Sequence, residues 1–243
     1  MKKFLTGFNS VFVGLNILAK DRSVLMVALL PLAVNVIVAA TVAVLGFKYV
    51  PDWVEKVKKL TVHDSPGFWD SILSVPLEFL TWITFIGLLF FVTYIVAMIL
   101  ASPLNGLLAE KALQYMGVVQ PKPFSFLQWL ATSARMVWIS LIKSILFAGI
   151  GVLVFFVSFV PVLGIFSSIV VLLIISFDGA DYSFEVLQFN LIQRLTLFRE
   201  NWPYFLGAAT VIGLTLMVPI LNFVLFPAIV VGQADLVRRI LNN

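Results

Sequence analysis

Residues 71–100 form an almost unbroken apolar run, interrupted only by a few hydroxyl residues, Pro76 and Glu78. Its length exceeds the ~20 residues that a helix needs to cross a bilayer. It is apolar all round, whereas a surface helix of a soluble domain alternates apolar and polar faces. A second such run covers residues 23–47, with Pro31 and Asn35 as its only unusual members. The whole chain follows suit: 61% of its 243 residues are hydrophobic and 12% charged, with a mean hydropathy of +1.08. Average soluble domains carry about 45–50% and 25%. The polar surface is too small to face water all round, so the chain reads as an all-α integral membrane protein, a single membrane domain over residues 1–243.

Around the two spanning runs lie shorter elements. In residues 1–20, Phe4, Phe8, Val11, Phe12, Leu15 and Leu18 follow helical spacing, with Thr6, Asn9, Asn16 and Lys20 opposite. This predicts an amphipathic helix in the membrane interface; without a small-x-small cleavage site it does not read as a signal peptide. Residues 48–70 are a polar connection in which P-D-W-V-E-K-V-K-K-L predicts a short surface helix. After residue 100 comes A-S-P-L-N-G-L-L-A-E-K. There Pro103 is expected to end the long helix, Asn105 to cap, and Gly106 to supply a sharp turn before a new helix. A loop over residues 117–123, with Pro121 and Pro123, leads into a further interfacial helix rich in aromatics.

The second half contains an internal repeat: F-V-P-V-L-G-I-F, residues 159–166, and M-V-P-I-L-N-F-V, residues 217–224. Each proline, Pro161 and Pro219, divides an apolar stretch into arms at or below the ~17–25 residues of a full crossing. Gly164 and Asn222 sit at the two tips, where tight-turn geometry and pore lining are the alternatives. The tips carry no charge, while Arg135, Lys143, Asp178, Asp181, Glu185, Arg194, Arg199, Glu200, Asp235, Arg238 and Arg239 all lie at the open ends. Two helical hairpins, residues 139–177 and 202–235, are therefore expected to insert partially and return to the same side. The 48–70 connection then holds four Lys/Arg and the other side the remaining twelve, which places both termini in the cytoplasm.

Several function classes fall away. The chain has no cysteine and one histidine, His63, so neither a disulfide nor a metal site is expected. The basic residues flank apolar runs instead of forming a patch with interleaved aromatics, against nucleic-acid binding. No H-E-x-x-H, G-x-S-x-G or Gly-rich phosphate loop occurs, and no catalytic residue or cofactor is expected.

The pieces P-L-x-V-N (Pro31 to Asn35), A-S-P-L-N-G-L-L-A-E, the two Val-Pro tips, D-Y-S-F (Asp181 to Phe184) and V-P-I-L-N-F-V-L-F-P-A occur in one order across residues 10–240. In this the chain resembles the CysZ-type sulfate permeases, the family that shares the etoposide-induced-protein-like membrane domain. The resemblance implies an oligomeric α-helical protein of the bacterial inner membrane, with spanning helices and partially inserted hairpins, that admits sulfate for cysteine synthesis. Leu25 and Met26 stand where the family carries an arginine pair, and Ser183 where it carries proline.

A new helix starting at Pro-Leu-Asn-Gly would present free N–H groups, and such a helix end attracts anions. Sulfate or a similar oxyanion is thus expected at Asn105, Gly106, Leu107 and Leu108, with Arg22 as counter-charge. Glu110 would orient an arginine, or pair with Lys111 or a neighbouring subunit. The alternative is a plain helix-breaking turn. Two spans enclose no pore alone, so a homo-oligomer with its pore at or near subunit interfaces is expected. The rival to a channel or permease is a non-transporting protein that organises the bilayer or recruits a partner.

Overall fold

In the computed structural model, residues 1–61, 68–121, 125–158, 161–216 and 218–242 are described. Among them the chain is all-α, with eight helices and no strand: α1 (Lys2–Lys20), α2 (Arg22–Thr61), α3 (Phe68–Tyr115), α4 (Phe126–Ser158), α5 (Pro161–Val186), α6 (Leu191–Glu200), α7 (Trp202–Leu216) and α8 (Pro219–Leu241). Arg22–Lys59 is long and apolar enough to cross a membrane, and Glu78–Leu89 is a shorter apolar segment of α3. At 1.5 Å per residue, the 40 residues of α2 and 48 of α3 extend about 60 and 72 Å.

The chain divides into two units, Met1–Ala33 with Ile99–Asn243, and Val34–Met98. Within the second, Gly46 faces the Leu89 side chain, the Trp53 and Phe85 rings lie 5.7 Å apart, and Lys58 Nζ reaches Glu78 Oε2 at 2.8 Å. As the α2 numbers rise the α3 numbers fall, so the two segments run antiparallel. The P-D-W-V-E-K-V-K-K-L stretch is no separate surface helix: α2 continues through it, burying Val50 and Val54 one turn apart. His63 and the rest of residues 62–67 lie outside the described residues.

In the first unit, helix-breaking at Pro103 gives way to burial. α3 runs unbroken to Tyr115, because continuing it lines up Ala101, Asn105, Leu108, Ala109, Ala112 and Leu113 on one buried stripe. That stripe outweighs the single lost N–H of a proline. The helix ends at Gly117, whose φ of +72° lets Val118 N donate to Leu113 O at 2.9 Å. Likewise the expected interfacial helix after the proline loop is the first part of one 33-residue helix, α4.

Helix α1 leaves Asn9, Asn16 and Lys20 exposed, and it packs on the rest of the protein through small residues. The buried residues are Gly7, Ser10, Val11, Gly14, Ile17 and Leu18, whereas Phe12 and Leu15 are exposed. The reason is backbone proximity. A Cβ on Gly7 would strike the Tyr204 carbonyl, one on Gly207 the Phe4 carbonyl, one on Gly14 the Ala228 carbonyl, and one on Gly232 the Ser10 carbonyl. Four glycines thus let α1 lie directly on α7 and α8, as small residues do where apolar helices pack without a hydrophobic driving force.

Both repeats pair their arms: α4 contacts α5 and α7 contacts α8. Pro161 and Pro219 open the second arm of each pair, where the missing N–H costs nothing. Gly164 lies in the first turn of α5, its carbonyl accepting from Ser168 Oγ at 3.0 Å, and Asn222 in the first turn of α8. Residues 159–160 and 217 of the tips lie outside the described residues.

Gly14→Ala or Gly232→Ala should each lower stability by about 1–3 kcal/mol, since a carbonyl cannot step aside as a side chain can. Gly149→Ala in α4, with open space where its Cβ would lie, should cost nothing. Thermal melts of the detergent-purified protein distinguish these outcomes.

Candidate functional site

A buried ionic cluster lies where α5 turns into α6. Helix α5 presents Asp181 and Glu185 one turn apart on one face. It ends in a turn through Gln188 at φ 59°, which lets Phe189 N donate to Phe184 O at 2.9 Å. A capping box then starts α6: Gln193 N donates to Asn190 Oδ1 at 2.9 Å, and Asn190 N to Gln193 Oε1 at 2.8 Å. These two devices aim Arg194, in the first turn of α6, back at α5.

Arg194 Nη1 donates to Asp181 Oδ1 at 2.7 Å, Nη2 to Glu185 Oε2 at 2.5 Å, and Nε to the Phe189 carbonyl at 2.8 Å. All three side chains are below 10% exposed. Glu185 uses its other oxygen to bind Arg135 of α4 at 3.1 Å, whose side chain is 60% exposed. Burial by itself would weaken proton binding by the Arg194 guanidinium. The Asp181 and Glu185 carboxylates more than offset this, so its pKa is raised above the ordinary arginine value. A raised pKa means a contribution lost only as pH climbs through it, so no accessible alkaline pH uncouples the cluster.

A second set of polar groups lies among apolar neighbours on α3, α5 and α8. Gln233 Nε2 donates to Ser176 Oγ at 3.2 Å, and both residues are fully buried. Asn105 Oδ1, Ser183 Oγ and Gln233 Oε1 are buried without a hydrogen-bond partner among the described residues. Leaving such atoms unsatisfied costs about 1–3 kcal/mol each, and polar side chains within a membrane protein mark pathways for ions or substrates.

Of the residues expected to hold an anion, Asn105 belongs to this set, with its side chain inside the protein. The N–H groups of Gly106, Leu107 and Leu108 lie in mid-helix, committed to the α3 ladder, so no new helix starts at Pro-Leu-Asn-Gly. Arg22 is exposed in the first turn of α2, after Asp21, whose Oδ1 accepts from Val24 N at 2.7 Å as an N-cap. Glu110 accepts from Gln114 Nε2 at 3.2 Å on the same helix face. Sequence reasoning counted Arg194, Asp181 and Glu185 among charges at open hairpin ends. The i,i+4 acids followed by a lone arginine after a cap motif were the available signal.

An all-helical chain with extensive exposed apolar surface and an ionic, hydroxyl- and amide-bearing interior is built as a membrane protein. Residues 10–227 match the family model described as sulfate transporter CysZ/etoposide-induced protein 2.4, and the chain belongs to that family. It is 26% identical over 213 residues to the sulfate transporter CysZ of Pseudomonas fluorescens, covering 84% of this chain and 82% of that one. The corresponding transporters of Pseudomonas paraeruginosa and Pseudomonas aeruginosa match at 25% and 26% identity over 237 residues, 94% of this chain and 92% of theirs. The family is one of transporters, and the chain is not an enzyme.

Arg194→Met should destabilise the protein by about 3–5 kcal/mol, because it removes the arginine that bridges two buried carboxylates. Asp181→Asn and Glu185→Gln added to it should recover much of that loss. A denaturation series in which the triple variant is no more stable than the single one would mean the ions are not paired as described.

Proposed function

We propose that this chain moves sulfate or a related oxyanion across the bacterial inner membrane, as a channel or uncoupled permease that supplies sulfur assimilation. The observation that carries the reading is the family match across residues 10–227, with relatives named as sulfate transporters along nearly their full length. The unpartnered buried atoms on Asn105, Ser183 and Gln233 support a polar route through an otherwise apolar core. Asn105 supplies a side-chain contact within it, and Arg22, at the start of α2, attracts the anion. With no nucleotide-binding loop in the sequence, the movement follows an existing gradient.

The architecture follows the same reading. Segments 23–47 and 71–100 span the bilayer, and the two Pro-headed hairpins insert partially, returning to the side of both termini. A homo-oligomer completes the pore near subunit interfaces, because two spans do not surround one. The second reading, a bilayer-organising or partner-recruiting protein of the same fold, is favoured by Leu25 and Met26, exposed apolar residues where the family resemblance leads one to expect two arginines.

Labelled sulfate flux into liposomes separates the two. Transport predicts uptake above empty vesicles, reduced about tenfold by Asn105→Leu, the worth of one buried polar contact. Folded protein that moves no oxyanion would favour the organising role. The hairpin reading has its own check, helped by the absence of native cysteine: Leu163→Cys should resist membrane-impermeant maleimide from both faces of the membrane. Ready labelling from the face opposite the termini would mean that the first hairpin crosses fully.

A further inference from the structure

At the end of the helix bundle where the chain begins and finishes, two adjoining clefts share Thr6 and Arg239. One, of about 480 Å³, is lined by Lys2, Leu5, Thr6, Asn9, Val13 and Arg239. The other, of about 430 Å³, is lined by Thr6, Tyr204, Arg238, Arg239 and Asn242. Lys3 borders them, its ammonium 5.6 Å from the centre of the Tyr204 ring. Four cationic side chains therefore gather around one opening.

The opposing charge is smaller. Asp235, itself buried, accepts from Arg238 Nη2 at 2.5 Å and from Arg239 Nε at 2.6 Å, and one carboxylate fixes both guanidinium groups. The C-terminal end of α8 contributes the equivalent of about half a negative charge. Four positive charges against about one and a half leave a clear excess. The side chains of Arg238 and Arg239 are still 32% and 45% exposed. Guanidinium planes held in place this way suit an incoming oxyanion, because arginine binds such groups through paired N–H donors. Helix α1, which starts at Lys2, adds its own positive end.

We infer that this double cleft is an oxyanion site, taking a tetrahedral phosphate or sulfate group between Lys2, Asn9, Arg238 and Arg239. The oxyanion is either free or carried on an anionic lipid headgroup. Apart from Tyr204, every polar group lining it lies outside residues 10–227, so the site belongs to the two ends of this chain and not to the segment matched by the family. It is independent of the transport reading and does not require flux.

The test is a thermal-shift titration of the full-length protein in zwitterionic detergent. The ligands are sodium sulfate or phosphate at constant ionic strength against chloride, and short-chain phosphatidylglycerol against phosphatidylcholine. Lys2→Gln with Arg239→Gln removes two cations while leaving Arg238 on Asp235, and Asn9→Leu alters the cleft without changing charge. Stabilisation by the free oxyanions, with the apparent Kd raised about tenfold or more in both variants, identifies a site for a soluble ion. The same pattern with phosphatidylglycerol alone identifies a lipid headgroup site. No response to either ligand, or responses that both variants retain, would overturn the proposal.

Discussion

The packing of α1 against α7 and α8 holds the two ends of the chain together, and it depends on four glycines that allow backbone to touch backbone. With Cβ atoms at Gly7, Gly14, Gly207 and Gly232 the helices could not approach as they do. Against α8 are built the apolar cluster of Val24, Ala28, Leu108, Ala112 and Val230, and a second cluster around Phe184, Phe205 and Leu236. In a bilayer, where exposed leucine gains nothing by turning inward, close backbone contact and dispersion take over from hydrophobic burial. This is why α1 turns small residues inward and leaves Phe12 and Leu15 outside.

The same physics explains what the sequence revealed and what it concealed. Length and apolar content made the helices legible, and the two prolines of the repeat marked where second arms begin. The face through which α1 packs on the protein went unread because periodicity was followed through its large apolar residues, the side expected to turn to the membrane. Gly7, Ser10 and Gly14 carry the opposite signal, with the spacing of close-packed helices. Pro103 misled in a related way. Local propensity favoured a break, but the stripe from Ala101 to Leu113 could be buried only by an unbroken helix.

The candidate site was partly readable. D-Y-S-F drew attention to Asp181, and Asn105 was singled out for a capping role although its side chain lies in the core. The Arg194 cluster was hidden because its members are neighbours through a turn: the left-handed Gln188 and the Asn190–Gln193 capping box reverse the chain so that α6 meets α5. No single-residue pattern reports that reversal. Glu185 then ties the buried Arg194 to the exposed Arg135, so three helices answer to one carboxylate.

The α1 crossings also set an order of events during synthesis. Gly14 emerges early, but its partners Ala228 and Gly232 are made about two hundred residues later, some 10–40 s at ordinary elongation rates of about 5–20 residues per second. For most of that interval, until Tyr204 and Gly207 of α7 are made, the glycines of the first helix have no partner. Its Leu5, Phe12 and Leu15 can rest in the headgroup layer meanwhile, so the greasy side that the finished fold leaves outside serves the nascent chain as a mooring until the last helix closes over the glycines.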